Sequence, residues 1–343
     1  MTRGKVLILH TGGTLGMRPR HPDRALAPDE FGRAVLENVP ELERIAEIET
    51  RMLYNLDSSD LAPEHWTGLA RAVFDARDSC DGIVITHGTD AMVYTASALS
   101  YVLRDLPFPV ILTGSQRPLV DVHSDGRANL VGAVDLALRP IPEVSIYFNG
   151  RLLRGNRAIK RSTFAFGAFD SPNFPDLAEV GTDVRLMEDP LRPSGDFRLV
   201  GGFDPRVATV WLHPGDDGAA LRGLVGSDTI AVLIAAFGYG NVPAADRRVA
   251  EGIRGLIAAG KVVAIGSQSS NAHVDLTRYA GGRLAEELGA VGTGDMTLQA
   301  ATVKLMYLAA SLSSAEEITH ALTVPIAGEI TVSGSGGDGR ARR

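Results

Sequence analysis

Short apolar runs alternate with longer amphipathic segments along most of this chain, and this alternation constrains the fold more than any other feature. The strand-like runs of the first half lie at residues 6–10, within 45–54, and at 83–86, 110–112 and 144–148. Helical segments lie between them, at residues 28–37, 63–77, 90–103 and 129–138. Strands that alternate with helices form βαβ units, so the pattern predicts an α/β fold with a mostly parallel sheet.

Residues 188–206 interrupt the alternation, because proline, glycine and charged residues dominate there. We interpret them as a linker between an N-terminal domain of residues 1–187 and a C-terminal domain of residues 207–332. The second domain resumes the pattern, with strands at 207–212, 230–237 and 262–265 and helices at 244–259 and 297–312. The Gly/Ser/Arg-rich residues 333–343 are predicted to be a disordered tail.

Composition excludes several classes of function. A net charge of −7 offers no basic surface for nucleic acid or anionic membranes. Cys80 is the only cysteine, so no intrachain disulfide and no cysteine-clustered metal site can form. No apolar run approaches the length of a membrane span, and the N-terminus lacks a signal-peptide cleavage site. We therefore expect a cytoplasmic protein without membrane or nucleic-acid partners.

Two apolar runs end at glycine turns that are followed by threonine. The first is Thr11-Gly-Gly-Thr14, and the second is His87-Gly-Thr-Asp90. Ligands of α/β sheets bind outside the carboxyl ends of the strands, so these turns predict hydroxyl-nucleophile chemistry at that edge. A threonine hydroxyl needs a base to become nucleophilic, while Gly12 and Gly13 permit close approach and can supply N–H donors. A phosphate-binding turn or a plain strand-to-helix turn is the alternative for Thr14.

The second turn has structural alternatives of its own. Thr89 or Asp90 equally fits the N-cap of the following helix, because both residue types fill that role. His87 can act as a base, but a histidine that ends a buried strand is more often a hydrogen-bonded core residue. We favour the core role.

Lys160, Ser58 and Ser59 complete the set of candidates. A lysine held near Asp90 can remove a proton from a threonine, although a lysine in an arginine-rich stretch is usually solvated. The two serines follow another strand end. Their hydroxyls can bind a carboxylate, or they can cap the helix that begins near Pro63.

Cofactor and metal chemistry find no support in the sequence. Residues 11–16 do not fit the dinucleotide-binding Gly-x-Gly-x-x-Gly pattern, and no Walker lysine follows them. The eight histidines show no His-x-x-x-His or His-Glu-x-x-His spacing. We expect neither a cofactor nor a metal.

Taken together, these segments resemble the bacterial-type L-asparaginase family, which covers asparaginases and glutaminase-asparaginases. The blocks that carry the resemblance are Thr11-Gly-Gly-Thr-Leu-Gly16, His87-Gly-Thr-Asp-Ala-Met92, Leu112-Thr-Gly-Ser-Gln-Arg-Pro118, Ser124-Asp-Gly-Arg-Ala-Asn-Leu130, Arg154-Gly-Asn-Arg-Ala-Ile-Lys160, Phe169-Asp-Ser-Pro-Asn173, Gly238-Tyr-Gly-Asn-Val-Pro243 and Gly294-Asp-Met-Thr297. They extend over about the whole chain except the tail. In lacking a signal sequence, the chain resembles the cytoplasmic type I branch.

The resemblance implies a larger N-terminal parallel-sheet α/β domain and a smaller C-terminal α/β domain of flavodoxin or Rossmann type. It implies an active site shared across a homodimer, usually within a homotetramer. Thr14 matches the threonine that attacks the side-chain amide, and Thr89, Asp90 and Lys160 match the second threonine and its partners. Ser58 and Asp90 match the residues that hold the α-carboxylate and α-ammonium groups of the substrate. Asn241 matches the asparagine that reaches the site from the neighbouring subunit.

Residues 16–28 directly follow Thr14 and show neither helical nor strand period, so we predict a loop that acts as a lid.

The sequence also departs from the family pattern. The family usually carries a tyrosine in the lid, yet no tyrosine lies between Thr14 and Tyr54. Ala91 stands where the family usually has threonine, and Gln299 where many members have glutamate. The alternatives to L-asparagine hydrolysis are hydrolysis of L-glutamine, a D-amino-acid amide or a small peptide amide, and a non-catalytic amino-acid sensor. A tRNA-dependent amidotransferase subunit shares the motifs, but it normally has an additional N-terminal domain, for which we see no room before Lys5.

Overall fold

The computed structural model describes residues 3–18, 21–25, 28–245 and 247–331. The strands are β1 (Lys5–Gly12), β2 (Met17–Arg18), β3 (His21–Ala25), β4 (Glu47–Leu56), β5 (Gly82–Thr86), β6 (Leu103–Arg104), β7 (Val110–Thr113), β8 (Val144–Phe148), β9 (Arg151–Arg154), β10 (Ile159–Lys160), β11 (Phe169–Asp170), β12 (Ala178–Val180), β13 (Val184–Leu186), β14 (Arg198–Leu199), β15 (Val207–Trp211), β16 (Ala231–Ala236), β17 (Val262–Ser267) and β18 (Val291–Gly292). The helices are α1 (Pro28–Asn38), α2 (Leu42–Ile45), α3 (Pro63–Asp75), α4 (Met92–Val102), α5 (Gly126–Leu136), α6 (Ala219–Leu224), α7 (Arg247–Ala258), α8 (Ala280–Glu287), α9 (Leu298–Ser311) and α10 (Ala315–Leu322). Short 3₁₀ turns occupy Thr14–Gly16 and Ser58–Asp60.

In the described part of the chain, eight strands of the first domain form one sheet with the order β13-β12-β9-β8-β7-β5-β1-β4. Five neighbouring strands of this sheet are parallel, in the order β8-β7-β5-β1-β4, which confirms the predicted parallel sheet. The remaining strands, β9, β12 and β13, extend it in antiparallel fashion. These edge strands have three or four residues each, too few for an alternating pattern to identify them from sequence.

Both faces of the first sheet are covered by helices. Leu7 and Leu9 of β1 point into a core shared with α3 and α4. Val6 and Ile8 point to the opposite face, where they pack with residues of α1 and α5. Because successive side chains of a strand alternate between faces, a strand between two helical layers must be apolar at every position. This requirement explains the continuous apolar runs of the sequence.

The second domain is a separate and smaller α/β unit. Its four-stranded parallel sheet has the order β15-β16-β17-β18. Helices α6 to α8 contribute to the core on one face, and α9 and α10 contribute to the core on the other. None of the helices in the described ranges is both long and apolar enough to cross a membrane.

The two domains contact each other through α4 and α9, where the buried Tyr101 hydroxyl donates to the Ala300 carbonyl at 3.1 Å. The predicted linker, 188–206, has regular structure of its own, because β14 pairs with β6 of the first domain. The Asp105 carboxylate also accepts hydrogen bonds from Ser194 and Gly195. The domain bounds stay predictions, and the predicted disordered tail, 333–343, lies outside the described residues.

The segment that follows Thr14 was expected to have neither helical nor strand structure, and this expectation is wrong. Strands β2 and β3 pair in antiparallel fashion directly after the Thr14 turn. Residues 19–20 and 26–27 lie outside the described part of the chain. The role of residues 16–28 as a lid stays a prediction.

Candidate functional site

Three neighbouring parallel strands, β4, β1 and β5, end in turns that pack directly on one another. Gly12 pairs with Leu56 at the end of β4, and Gly13 turns the chain with a φ of 86° and a ψ of 176°. A Cβ placed on Gly13 would lie 2.4 Å from the Gly88 Cα, and one on Gly88 would lie 2.6 Å from the Ser58 Oγ. The absence of a side chain at these glycines therefore allows the turns that carry Thr14, Ser58 and Thr89 to touch.

Thr14 begins the 3₁₀ turn and is partly buried. Its hydroxyl makes no hydrogen bond to any residue that the structure describes, while its carbonyl accepts from the Met17 N–H. The turn therefore leaves this hydroxyl without a partner among the described residues, and its role as a nucleophile stays a prediction.

Lys160, at the end of β10, joins the two polar residues of the second turn. Its Nζ donates to the Thr89 Oγ1 at 2.8 Å and to the Asp90 Oδ1 at 2.6 Å. The lysine side chain is only 14% exposed, whereas that of Asp90 is 68% exposed. The sequence alternative of a solvated lysine is therefore wrong, and the three predicted residues are brought together.

Thr89 and Asp90 do not cap the following helix, although the sequence allowed either of them that role. Helix α4 begins at Met92, two residues later than predicted, and its N-cap is Ala91, with no side-chain hydrogen bond. Both polar side chains bind Lys160 instead. The second carboxylate oxygen of Asp90 has no partner among the described residues, so it is free to receive a cation.

Ser58 and Ser59 differ in how their hydroxyls are used. The buried Ser58 Oγ accepts from the Ala91 N–H at 3.4 Å, which leaves its own O–H to donate. The Ser59 hydroxyl and backbone N–H both donate to the Asp57 Oδ1, at 2.8 and 2.9 Å. Asp57 is the side-chain cap of the 3₁₀ turn, and the N-cap of α3 is Ala62, so the alternative that either serine caps that helix is wrong. Ser58 is therefore better suited than Ser59 to donate to a carboxylate.

His87 is a core residue, as predicted, and it ends a buried chain of hydrogen bonds. The Trp66 indole contacts the Thr95 hydroxyl at 3.1 Å, which contacts the His87 Nε2 at 2.9 Å. Because a carbonyl can only accept, the Nδ1 of His87 carries the proton and donates to the Gly88 carbonyl at 2.7 Å. The Nε2 of the neutral ring therefore accepts from the Thr95 hydroxyl. Sequence alone did not identify Trp66 and Thr95, since no local pattern relates them to the turn.

Burial keeps the two site histidines neutral. Desolvation lowers the pKa of His87 to about 4, against the opposing effect of its bond to the Gly88 carbonyl. Desolvation, assisted by the charge of His87, lowers the pKa of His10 to about 3. The His10 ring stacks on Phe31 at 3.7 Å and contacts the Thr86 hydroxyl at 2.7 Å. Both imidazoles support the turns structurally rather than carrying charge near neutral pH.

Asn241 lies in the second domain, beyond the end of β16. It forms a bridge with Phe237, and a Cβ on Gly281 would lie 2.5 Å from its Oδ1. That oxygen is buried and has no hydrogen-bond partner in the described part of the chain. No hydrogen bond described for Asn241 reaches the first domain. Its predicted role at a neighbouring subunit's site stays a prediction.

Comparisons with known proteins cover both domains. The family model "Asparaginase, N-terminal" matches residues 5–192, and "Glutaminase/Asparaginase C-terminal domain" matches residues 206–322. The chain is 38% identical over 336 residues to the L-asparaginase of Thermococcus kodakarensis (95% of this chain, 99% of the relative). It is 36% identical over 344 residues to L-asparaginase 1 of Escherichia coli K12 (96% and 99%).

A solved structure and a differently named relative extend the comparison. The thermostable L-asparaginase from Thermococcus kodakarensis superposes with a TM-score of 0.88 at 37% identity, covering 96% of this chain and 100% of that one. A glutamyl-tRNA(Gln) amidotransferase component of Pyrococcus abyssi is 30% identical over 344 residues. That alignment covers 95% of this chain but 77% of the relative.

Proposed function

Because the chain belongs to the asparaginase family, we propose that it hydrolyses the side-chain amide of L-asparagine to L-aspartate and ammonia. The observation that carries this proposal is the position of the Lys160 Nζ. It lies within hydrogen-bonding distance of both the Thr89 Oγ1 and the Asp90 Oδ1. Thr89 and Asp90 belong to a turn that contacts the Gly13–Thr14 turn. An amino-acid binder needs Asp90 and Ser58 but has no need for this lysine.

In the proposed mechanism Thr14 is the nucleophile. Its Oγ forms a bond to the amide carbon, the carbon–nitrogen bond breaks, and the hydroxyl proton reaches the leaving nitrogen, which departs as ammonia. Thr89 and Lys160 relay that proton, since a neutral lysine amine can take a proton from a threonine hydroxyl. Water then attacks the acyl-enzyme, and one water proton returns to the Thr14 Oγ as aspartate leaves.

Backbone N–H groups of the glycine turns stabilise the oxyanion in this proposal. Gly13 is the leading candidate, because its conformation brings backbone rather than side chain to the strand end. One preorganised donor of this kind contributes about 3 kcal/mol to the transition state.

Substrate selection rests on the unused hydrogen-bonding capacity of two residues. The free carboxylate oxygen of Asp90 can receive the α-ammonium group, and the Ser58 O–H can donate to the α-carboxylate. Ser59 is a second candidate for the carboxylate, provided that it gives up its bonds to Asp57. A ligand without the α-ammonium group would leave the carboxylate uncompensated, so we expect strong selection for α-amino acids.

We further propose that the protein acts as a homodimer or homotetramer in which Asn241 serves the site of a neighbouring subunit. The support is the place of Asn241 in the loop beyond β16, next to the exposed Gly238 and Tyr239. A cytoplasmic location also stays a proposal, and subcellular fractionation with an antibody against the chain would test it.

The decisive experiment is ammonia release by the purified protein with L-asparagine, L-glutamine, D-asparagine and a small peptide amide in parallel. Thr14→Val removes the hydroxyl but keeps the branched shape, and Thr14→Ser keeps the hydroxyl. We expect release from L-asparagine, its loss in Thr14→Val and its partial retention in Thr14→Ser. Release by Thr14→Val at the wild-type rate would refute the nucleophile.

Lys160→Met separates an enzyme from an amino-acid sensor. In an enzyme, this variant loses turnover but still binds L-aspartate in calorimetry. In a sensor the wild type binds without releasing ammonia, and the substitution changes little. Release from L-glutamine or D-asparagine but not from L-asparagine would retain the amidohydrolase and correct its substrate.

A further inference from the structure

The segment that carries Lys160 is held by the second domain. Asn156 and Arg157 lie between β9 and β10, and both are buried in the first domain. The Asn156 Nδ2 donates to the Ala327 carbonyl at 2.9 Å, and the Arg157 Nε donates to the Gly328 carbonyl at 2.7 Å. Two side chains located three and four residues before Lys160 thus bind the end of the second domain, about 170 residues further along the chain.

Arg157 makes further polar contacts with the second domain. Its side chain is 1% exposed, and its Nη1 forms an ion pair with the Asp295 Oδ2 at 2.8 Å. Its Nη2 donates to the Thr331 Oγ1 at 3.2 Å. The Thr331 hydroxyl donates in turn to the Asp295 Oδ2 at 2.5 Å. Hydrogen bonds from Nε to a carbonyl and from Nη2 to a hydroxyl fix the direction of the guanidinium, since its donors form a rigid fork.

The partner of Arg157, residues 325–331, is itself held rigidly. The Glu329 carboxylate accepts from the backbone N–H groups of Ile326 and Ala327 at 2.9 and 2.8 Å. Its Oε1 also pairs at 2.6 Å with Lys304 of α9, and both side chains are fully buried. The second domain therefore anchors the 325–331 segment through contacts that do not involve Arg157.

We infer that Arg157 is a positioning residue, through which the 325–331 segment of the second domain sets the place of Lys160 against Thr89 and Asp90. The inference rests on the proposed function, in which Lys160 relays protons. It explains why β10, a strand of two residues paired only with β11, can hold a lysine at 2.6 Å from Asp90. The second domain thus contributes to the site within its own subunit.

The test measures the position of Lys160 directly, without relying on activity. The chain has only four lysines, at 5, 160, 261 and 304, so ¹³C-lysine labelling gives few signals, and Lys160→Met assigns the relevant one. The variants are Thr331→Val, which keeps the volume but removes the shared hydroxyl, and Arg157→Lys, which keeps the charge but removes the fork. The extra lysine signal of Arg157→Lys is assigned by adding Lys160→Met. Neither variant replaces Thr89 or Asp90, the described hydrogen-bond partners of the Lys160 amine.

We expect the ¹³C chemical shift of the Lys160 signal to move toward that of an exposed lysine in both variants, because a displaced amine loses its contacts with Thr89 and Asp90. We expect kcat to fall about tenfold or more while KM stays within about twofold, since the substrate-binding turns are untouched. Ser314→Ala is the matched control. It removes the side-chain cap of α10 in the second domain, a hydrogen bond that involves neither Arg157 nor Thr331, and should change neither quantity.

The inference is overturned if Thr331→Val leaves both the Lys160 chemical shift and kcat unchanged, or if Ser314→Ala alters them equally. Should Arg157→Lys fail to fold, Thr331→Val decides alone. If the wild type releases no ammonia from any amide, the proposed function fails, yet the Lys160 chemical shift still tests the positioning role.

Discussion

Replacing Gly13 by alanine is expected to abolish most of the activity through a collision between two backbones. A Cβ at this position would lie 2.4 Å from the Gly88 Cα and 2.5 Å from the Gly88 nitrogen. Carbon atoms in contact keep about 3.5 Å, so the two turns must separate by roughly 1.1 Å. Backbone cannot rotate away as a flexible side chain can, so the Thr14 turn must move relative to the Thr89 turn.

Two effects set the magnitude. The φ of 86° and ψ of 176° at Gly13 fall in a region open essentially to glycine alone, which costs alanine about 1–3 kcal/mol of stability. A displacement of about 1 Å between reacting groups lowers the rate about 100-fold, or close to 2.7 kcal/mol in the transition state. We expect both losses in Gly13→Ala, measured as the urea unfolding free energy and as kcat/KM for ammonia release.

Gly260→Ala separates strain from collision. Gly260 also has a positive φ, of 75°, but a Cβ there would meet nothing within 4 Å, and it follows α7 in the second domain. We expect it to lose about 1 kcal/mol of stability and no activity. A folded Gly13→Ala protein with the kcat/KM of the wild type would show that the contact between the two turns is irrelevant to the chemistry.

Two further predictions concern buried charge. The His87 pKa of about 4 lies below its unfolded value, so the neutral form stabilises the fold, and that contribution of about 3 kcal/mol is lost as pH falls from about 6.5 to 4. His87→Asn keeps a donor for the Gly88 carbonyl but does not titrate between pH 6.5 and 4. Its unfolding free energy, measured by urea titration, should therefore fall less steeply with falling pH than that of the wild type. An equally steep fall would contradict the assignment. Lys304→Met leaves Glu329 without its cation and should cost about 3–5 kcal/mol, whereas Lys304→Met/Glu329→Gln should recover part of that loss. Equal stability of the single and double variants in thermal unfolding would show that an unpaired Glu329 carboxylate carries no penalty.

Much of the fold and of the candidate site could be predicted from local sequence pattern. Apolar runs identified the parallel strands of both sheets except β18, which has only two residues, because strands between two helical layers have no solvent-exposed face. Glycine turns after these runs identified Thr14 and Thr89. The short antiparallel strands β9, β12 and β13 were missed because pairing with neighbours, rather than any period of their own, makes them strands. The start of α4 was misplaced because Thr89 and Asp90 have the residue types of helix caps.

By itself, the sequence determined which residues stand at strand ends, since that depends on spacing along the chain. Tertiary structure alone decided which of those ends are neighbours. The sheet order β4-β1-β5 brings the Ser58, Gly13 and Gly88 turns into contact, although β4 and β1 are more than thirty residues apart. The inferred position of Lys160 depends on Arg157, Asp295 and Thr331. The ion pair and hydrogen bond among these side chains are strong only where the two folded domains exclude water. Those contacts are strong because their atoms are buried and their donors point at their acceptors. Burial and hydrogen-bond geometry are properties of the folded chain and cannot be read from the sequence.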